Sequence, residues 1–212
     1  MFSRSIFVGL LFAIGGASLV FAEIPAPIEP DFTASIVEKL ARGETVLFEN
    51  PKASGHAGIA IQLHATRDEV WAILMDPESA TAFQPTLRSC KVLERTKTSQ
   101  LIAQEVKIGF LPVIQFQIRS KRVTPKKQIE FHLTEGDLSE LTGGWLVLDG
   151  ADFGQSGSVF LFHQVFLDPG FLVPQSLVQR SLQTDLPPMM KAIRARIFEL
   201  RQAAESKVAA AR

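Results

Sequence analysis

The chain has 212 residues, 46% hydrophobic and 21% charged, which suits one globular domain and excludes a largely disordered protein. Its 22 Lys/Arg and 22 Asp/Glu cancel, so it lacks the basic footprint of a nucleic-acid binder. One cysteine, Cys90, excludes an internal disulfide framework, and the four histidines, His56, His64, His132 and His163, have no paired spacing suited to a metal.

Met1 to Ala22 reads as an address. Arg4 precedes an uncharged run, and Val20-Phe21-Ala22 places small or short side chains where a signal peptidase cuts. The expectation is a signal peptide cleaved after Ala22 and a periplasmic or secreted protein. The alternative is an uncleaved membrane anchor, for which Gly15 and Gly16 make a poor continuous helix. Residues 23–43 form an N-terminal extension, in which Pro25, Pro27 and Pro30 give a stiff tether. Asp31 is the predicted cap of a short helix to Ala41, with Gly43 as its stop.

Thr45–Phe48 and Gly58–His64 are strand-like. Thr66-Arg67-Asp68-Glu69 is a capping box opening a helix with Val70, Trp71, Ile73 and Leu74 on its apolar stripe. A second short helix spans Glu78 to Phe83. From Leu87 to Phe166 the period becomes two, and strands are predicted at Ser89–Arg95, Leu101–Ile108, Val113–Val123, Gln128–Leu133, Trp145–Leu148 and Ser158–Phe166. Short turns between them require antiparallel pairing, so the class is α+β. A closing helix follows Pro174. Pro187-Pro188 predicts a kink or a restart capped by Asp185, and Leu186, Met190, Ile193, Ile197 and Leu200 make an apolar stripe. Lys191, Arg194, Glu199 and Arg201 lie beside or opposite that stripe, and residues 206–212 are expected to fray.

Gln104 shares a strand face with Ile102 and Val106, so it points inward. His163 shares one face with Leu161, and Gln164 shares the other with Phe160 and Phe162. Both faces are apolar, so alternation alone does not say which of the two polar residues is inside. Cys90 reads as a small core residue, and Trp71 and Trp145 as core or ligand wall. No nucleophile elbow, phosphate loop or zinc-protease motif occurs.

The order of these phrases resembles the START-like (SRPBCC) superfamily, including its polyketide cyclase/dehydrase, lipid-transport and coenzyme Q-binding proteins. Ala65 to Pro77 resembles that superfamily's "AP-x-x-VW-x-hL-x-D" helix. Phe83-Gln84-Pro85, then Phe131 to Leu138 with Gly143-Gly144-Trp145, is similar to its later segments, and Pro174 to Arg196 to its closing helix. The resemblance implies a helix-grip fold over residues 44–205, a curved antiparallel sheet wrapped around a long C-terminal helix. It also implies an apolar cavity whose walls are Trp71, Ile102, Gln104, Val106, Phe131, Leu161, His163, Leu186, Met190, Ile193 and Ile197. The implied partner is a hydrophobic small molecule (lipid, quinone or polyketide-like), with no cofactor and with transient membrane contact for exchange. The alternatives are a cyclase or dehydratase using His163 or His132 as acid/base, and an interaction module whose interior is filled. In a cavity wall, Met190 would accept a larger side chain without loss of stability.

Protein recovered from a secreting host is expected to begin at Glu23 by intact mass. Retention of Met1–Ala22 in the membrane fraction would select the anchor.

Overall fold

The computed structural model describes residues 25–50, 53–107, 112–170 and 173–210. The expected signal segment, its cleavage point and Ile108 lie outside these residues. Eight strands form one antiparallel sheet: β1 (Thr45–Glu49), β2 (His56–Leu63), β3 (Leu87–Arg95), β4 (Ser99–Lys107), β5 (Val113–Thr124), β6 (Gln128–Gly136), β7 (Glu140–Asp149) and β8 (Val159–Asp168). Among the described residues three α-helices accompany them: α1 (Ala34–Ala41), α2 (Arg67–Met75) and α3 (Gln175–Ala210). The sheet order is β1-β2-β8-β7-β6-β5-β4-β3. Strands β3 to β8 are thus a run of hairpins, and the first two strands extend it along the free edge of β8. The register shifts in the β3–β4 and β5–β6 ladders, and such irregularities bend a sheet. The result is the helix-grip α+β fold, with α3 held in the concave side.

Local chemistry explains the helix ends. The Thr66 hydroxyl accepts from the Glu69 amide while the Glu69 carboxylate accepts from the Thr66 amide, completing the predicted capping box. Helix α1 corrects one expectation. Its cap is Thr33, whose hydroxyl accepts from the Ile36 amide, whereas Asp31 lies too far upstream and offers its backbone carbonyl to Thr33. Gly43, at φ 85°, ends that helix in the left-handed conformation that glycine adopts without strain. The segment Glu78–Ala82 is a 3-10 turn rather than an α-helix.

Helix α3 corrects three more. It runs unbroken from Gln175 to Ala210 through Pro187 and Pro188, with no restart at Asp185. The two missing N–H donors are tolerated because Leu182, Leu186 and Met190, on either side, are buried against the sheet. Residues 206–210, expected to fray, are helical. Arg194 and Arg201, read as stripe-flanking surface residues, tie the helix down. Arg194 donates to the Gly43 carbonyl at 2.9 Å and the Gln62 carbonyl at 3.1 Å. Arg201 grips both Glu69 carboxylate oxygens and the His64 carbonyl, joining α3 to the start of α2.

At β2 and β8 the sheet is buried on both sides. On the concave side, Ile59, Ile61, Val147, Leu161, Met190 and Ile193 belong to one core beneath α3. On the convex side, Ala60, Phe160 and Phe162 belong to a second core, which the N-terminal segment closes with Ile28, Phe32, Ile36, Val37 and Leu40. Phe32 sits at its centre, 5.2 Å from Phe153, 5.5 Å from Phe160 and 6.0 Å from Phe48 between ring centroids. This cover explains why β8 is apolar on both faces.

Arg194→Ala is expected to lower stability by about 2 kcal/mol, because it strips two backbone carbonyls of a charged donor in a half-buried position. Lys191→Ala, on the exposed face of the same helix, is expected to stay within ~0.5 kcal/mol by denaturant unfolding.

Candidate functional site

Burial on the concave side is uneven, and that unevenness marks a candidate site. Under α3 the β2 and β8 side chains are sealed: Ile59, Ile61 and Leu161 are wholly buried. Further along the sheet the same core is only half covered. There Cys90, Val106, Ile114, Phe131, Leu133 and Trp145 pack against the buried core while keeping part of their surface open. Across from the strands, Trp71, Leu74, Phe83 and Met189 are half-buried members of the same cluster. An incompletely covered apolar face lined by strands and helices can take up a small apolar molecule by removing more of that surface from water.

The residues expected at the site divide into two groups. Trp71, Gln104, Val106 and Phe131 lie on the half-covered surface. Ile102, Leu161, His163, Leu186, Met190, Ile193 and Ile197 are at most 6% exposed and form the packed base beneath it. Met190 has no exposed surface, so the sequence-based expectation of spare room there is corrected: a larger side chain would overpack the core. Ile114, Leu133, Leu74, Phe83 and Met189 were missed. Carrying the inward parity of Ile102 across the β4–β5 pairs Ile102↔Ile118 and Val106↔Ile114 would have found Ile114.

Two polar side chains on this face, Gln104 and His163, have definite partners. The Gln104 Nε2 donates to Cys90 Sγ at 3.6 Å across the β3–β4 pair. Burial raises the Cys90 thiol pKa, which keeps it protonated and unreactive. His163 resolves the ambiguity left by alternation: it faces the concave core at 6% exposure. Gln164 faces the convex side, where its Oε1 accepts from the Ile28 amide at 2.6 Å. The His163 ring lies 4.0 Å from the Trp145 ring with 25° between planes, and Phe131 continues the stack at 6.0 Å. His163 Nδ1 is 3.0 Å from the Gly144 carbonyl oxygen. A carbonyl only accepts, so Nδ1 carries the proton. Burial pushes the imidazole down to about 4, against a smaller opposing effect of the Gly144 bond, so the ring is neutral near pH 7.

The glycines of β7 make this stack possible. A Cβ at Gly143 would lie 2.6 Å from Phe131 Cζ and 2.2 Å from the Gln164 carbonyl oxygen. Gly143 is paired with Phe131 across the β6–β7 ladder, so the absent side chain leaves the space that the Phe131 ring occupies.

The other histidines do not join this group. His132 is exposed on the convex side of β6, which removes it as a candidate acid or base for the concave face. His56 is buried beside Asn50 on β2, and the exposed His64 offers only its carbonyl to Arg201. Among the described residues no cluster of His, Cys, Asp and Glu suits a metal. Two open depressions elsewhere, of about 390 Å³ along Ala204 to Ala209 and about 200 Å³ beside Glu49 and Gln179, involve none of the site residues.

A family model described as polyketide cyclase/dehydrase and lipid transport matches residues 63–194. No curated protein matches the sequence. Among solved structures, a START superfamily protein from Mycobacterium smegmatis superposes with a TM-score of 0.59 at 18% identity, over 68% of this chain and 98% of that one. A STAR-related lipid transfer protein from Xanthomonas axonopodis gives 0.56 at 16% identity, over 72% and 92%. The Zhui aromatase/cyclase from Streptomyces sp. R1128 gives 0.52 at 16% identity, over 69% and 93%. At these identities the likeness is one of fold.

The buried neutral His163 has a consequence for stability. Its folded pKa of about 4 lies below the ordinary 6.5, so below pH 6.5 the unfolded chain takes up a proton that the folded chain refuses. Stability is therefore full above pH 6.5 and falls as pH drops from 6.5 towards 4, by roughly 3 kcal/mol at most. His56 is shifted the same way by burial and adds to the slope. His163→Gln is expected to flatten most of the loss between pH 6.5 and 4.5, a window above the range where Glu69, held at about 2 by Arg201, begins to protonate.

Proposed function

Because the chain belongs to the polyketide cyclase/dehydrase and lipid transport family, we propose that it binds and shelters a hydrophobic small molecule on the concave face of the sheet, as a carrier. The observation that carries this reading is the half-covered band of Trp71, Phe83, Val106, Ile114, Phe131, Leu133 and Trp145 beside a fully packed base. Each 100 Å² of apolar ligand surface buried there would contribute about 2.5 kcal/mol before the costs of association. The base supplies rigidity and the band supplies the adaptable contact area.

A lipid, a quinone or a polyketide-like molecule fits this chemistry. The nearby polar groups support binding over proton transfer. His163 is fixed by a backbone carbonyl rather than by a carboxylate, and burial keeps it neutral. The leader-like residues 1–22 support a periplasmic or secreted location, where a soluble shelter for an apolar molecule is needed for transit between membranes. Ligand exchange at a membrane surface follows from the same reading.

The test is saturable uptake of N-phenyl-1-naphthylamine, read by its fluorescence and displaced by added phospholipid, fatty acid or ubiquinone. Val106→Trp fills the half-covered band and is expected to remain folded while lowering probe affinity at least tenfold. Met190→Trp, in the sealed base, is expected to cost ~1–3 kcal/mol of stability instead. A wild-type protein that takes up no probe would contradict the carrier reading.

A further inference from the structure

The His163 side chain carries one more feature. Its Nδ1–H is spent on the Gly144 carbonyl, which fixes the tautomer and leaves Nε2 as an acceptor with no proton of its own. Among the described residues nothing donates to Nε2. The two ring nitrogens point away from one another, so Nε2 is directed off the Gly144 carbonyl, and the ring cannot swing because Trp145 stacks on it at 4.0 Å. The residue is 6% exposed and sits beside Phe131 and Trp145, which are both on the half-covered band. Nε2 is not one of the sealed atoms without a partner, which among the described residues are Gln62 Oε1 and Gln175 Oε1, so it keeps surface that a ligand bearing a donor can reach.

We propose that His163 Nε2 is the polar anchor of the site and selects apolar ligands that bear a hydroxyl group, an alcohol or phenol, over matched molecules that can only accept hydrogen bonds, such as ethers, esters and quinones. This rests on the carrier reading and narrows it. The hydroxyl donates to Nε2 at the inner end of the band, and the apolar remainder of the ligand lies over Phe131, Val106 and Ile114. A quinone carbonyl or ester oxygen at the same place would set acceptor against acceptor and leave both unpaired. The neutral state of the ring near pH 7 keeps Nε2 available. No proton is transferred, and the ligand leaves as it arrived.

The experiment compares matched pairs on the purified full chain: 2-naphthol against 2-methoxynaphthalene, and oleyl alcohol against its methyl ether. Each is measured by displacement of N-phenyl-1-naphthylamine. The hydroxyl member is expected to bind about tenfold more tightly than the ether, and the difference is expected to vanish in His163→Phe with ether affinity preserved. On wild-type protein, which needs no variant to fold, the ¹⁵N resonance of His163 Nε2 is expected to move when the alcohol is added and to stay in place with the ether. Equal affinity of alcohol and ether would overturn the assignment while leaving the carrier reading standing. A hydroxyl preference with an unmoved Nε2 resonance would overturn it also. Failure of every compound, ethers included, would remove the carrier reading and the anchor with it.

Discussion

The structure depends on one constraint: β8 is apolar on both faces, so it must be covered twice. Phe160 and Phe162 point one way, Leu161 and His163 the other, and all four are at most 6% exposed. A strand of this kind belongs in the interior of the layered structure, and the sheet order places it there, between β2 and β7. Helix α3 covers the concave face and the N-terminal segment with α1 covers the convex face. The extension is thus part of the folded unit and not only a tether. The family match begins at residue 63, so this convex cover lies outside the matched span.

From that constraint the site follows. One helix is narrower than an eight-stranded sheet, so α3 seals β2 and β8 and leaves the concave side of β3 to β6 less completely covered. The sequence reinforces this asymmetry through Arg194, which bonds to the Gly43 and Gln62 carbonyls and pulls α3 towards the β1–β2 side. Arg201 holds the far half of the same helix against α2 through Glu69. The half-covered band is the remainder, and the aromatic stack of Phe131, Trp145 and His163 marks where it meets the sealed base.

Much of this was legible in the sequence. The capping box at Thr66, the period-two run from Leu87 and the stripe on the closing helix each rest on local periodicity, and the eight-stranded α+β fold follows from them. Other features were not legible because their causes are not local. Alternation could not choose between His163 and Gln164, since a doubly buried strand has no polar face; the pairing with β7, which stacks His163 on Trp145, and the Ile28 amide reaching Gln164 decide it. Arg194 and Arg201 look like surface charges until carbonyls more than 130 positions away are brought beneath them. The proline pair predicted a kink or a restart because the local penalty is real, and the restart does not occur because packing on both sides of the pair outweighs that penalty. The division of the expected site into sealed base and open band depends on how far α3 reaches across the sheet, which no periodicity records.

The most direct measurement of the central claim is native mass spectrometry of freshly purified protein, followed by organic extraction and identification of what is released. The expected result is a bound fraction heavier than the bare chain by one small molecule, lost on extraction, apolar and carrying a hydroxyl group. Bare protein throughout, with no adduct formed after incubation with lipid extract, would contradict it.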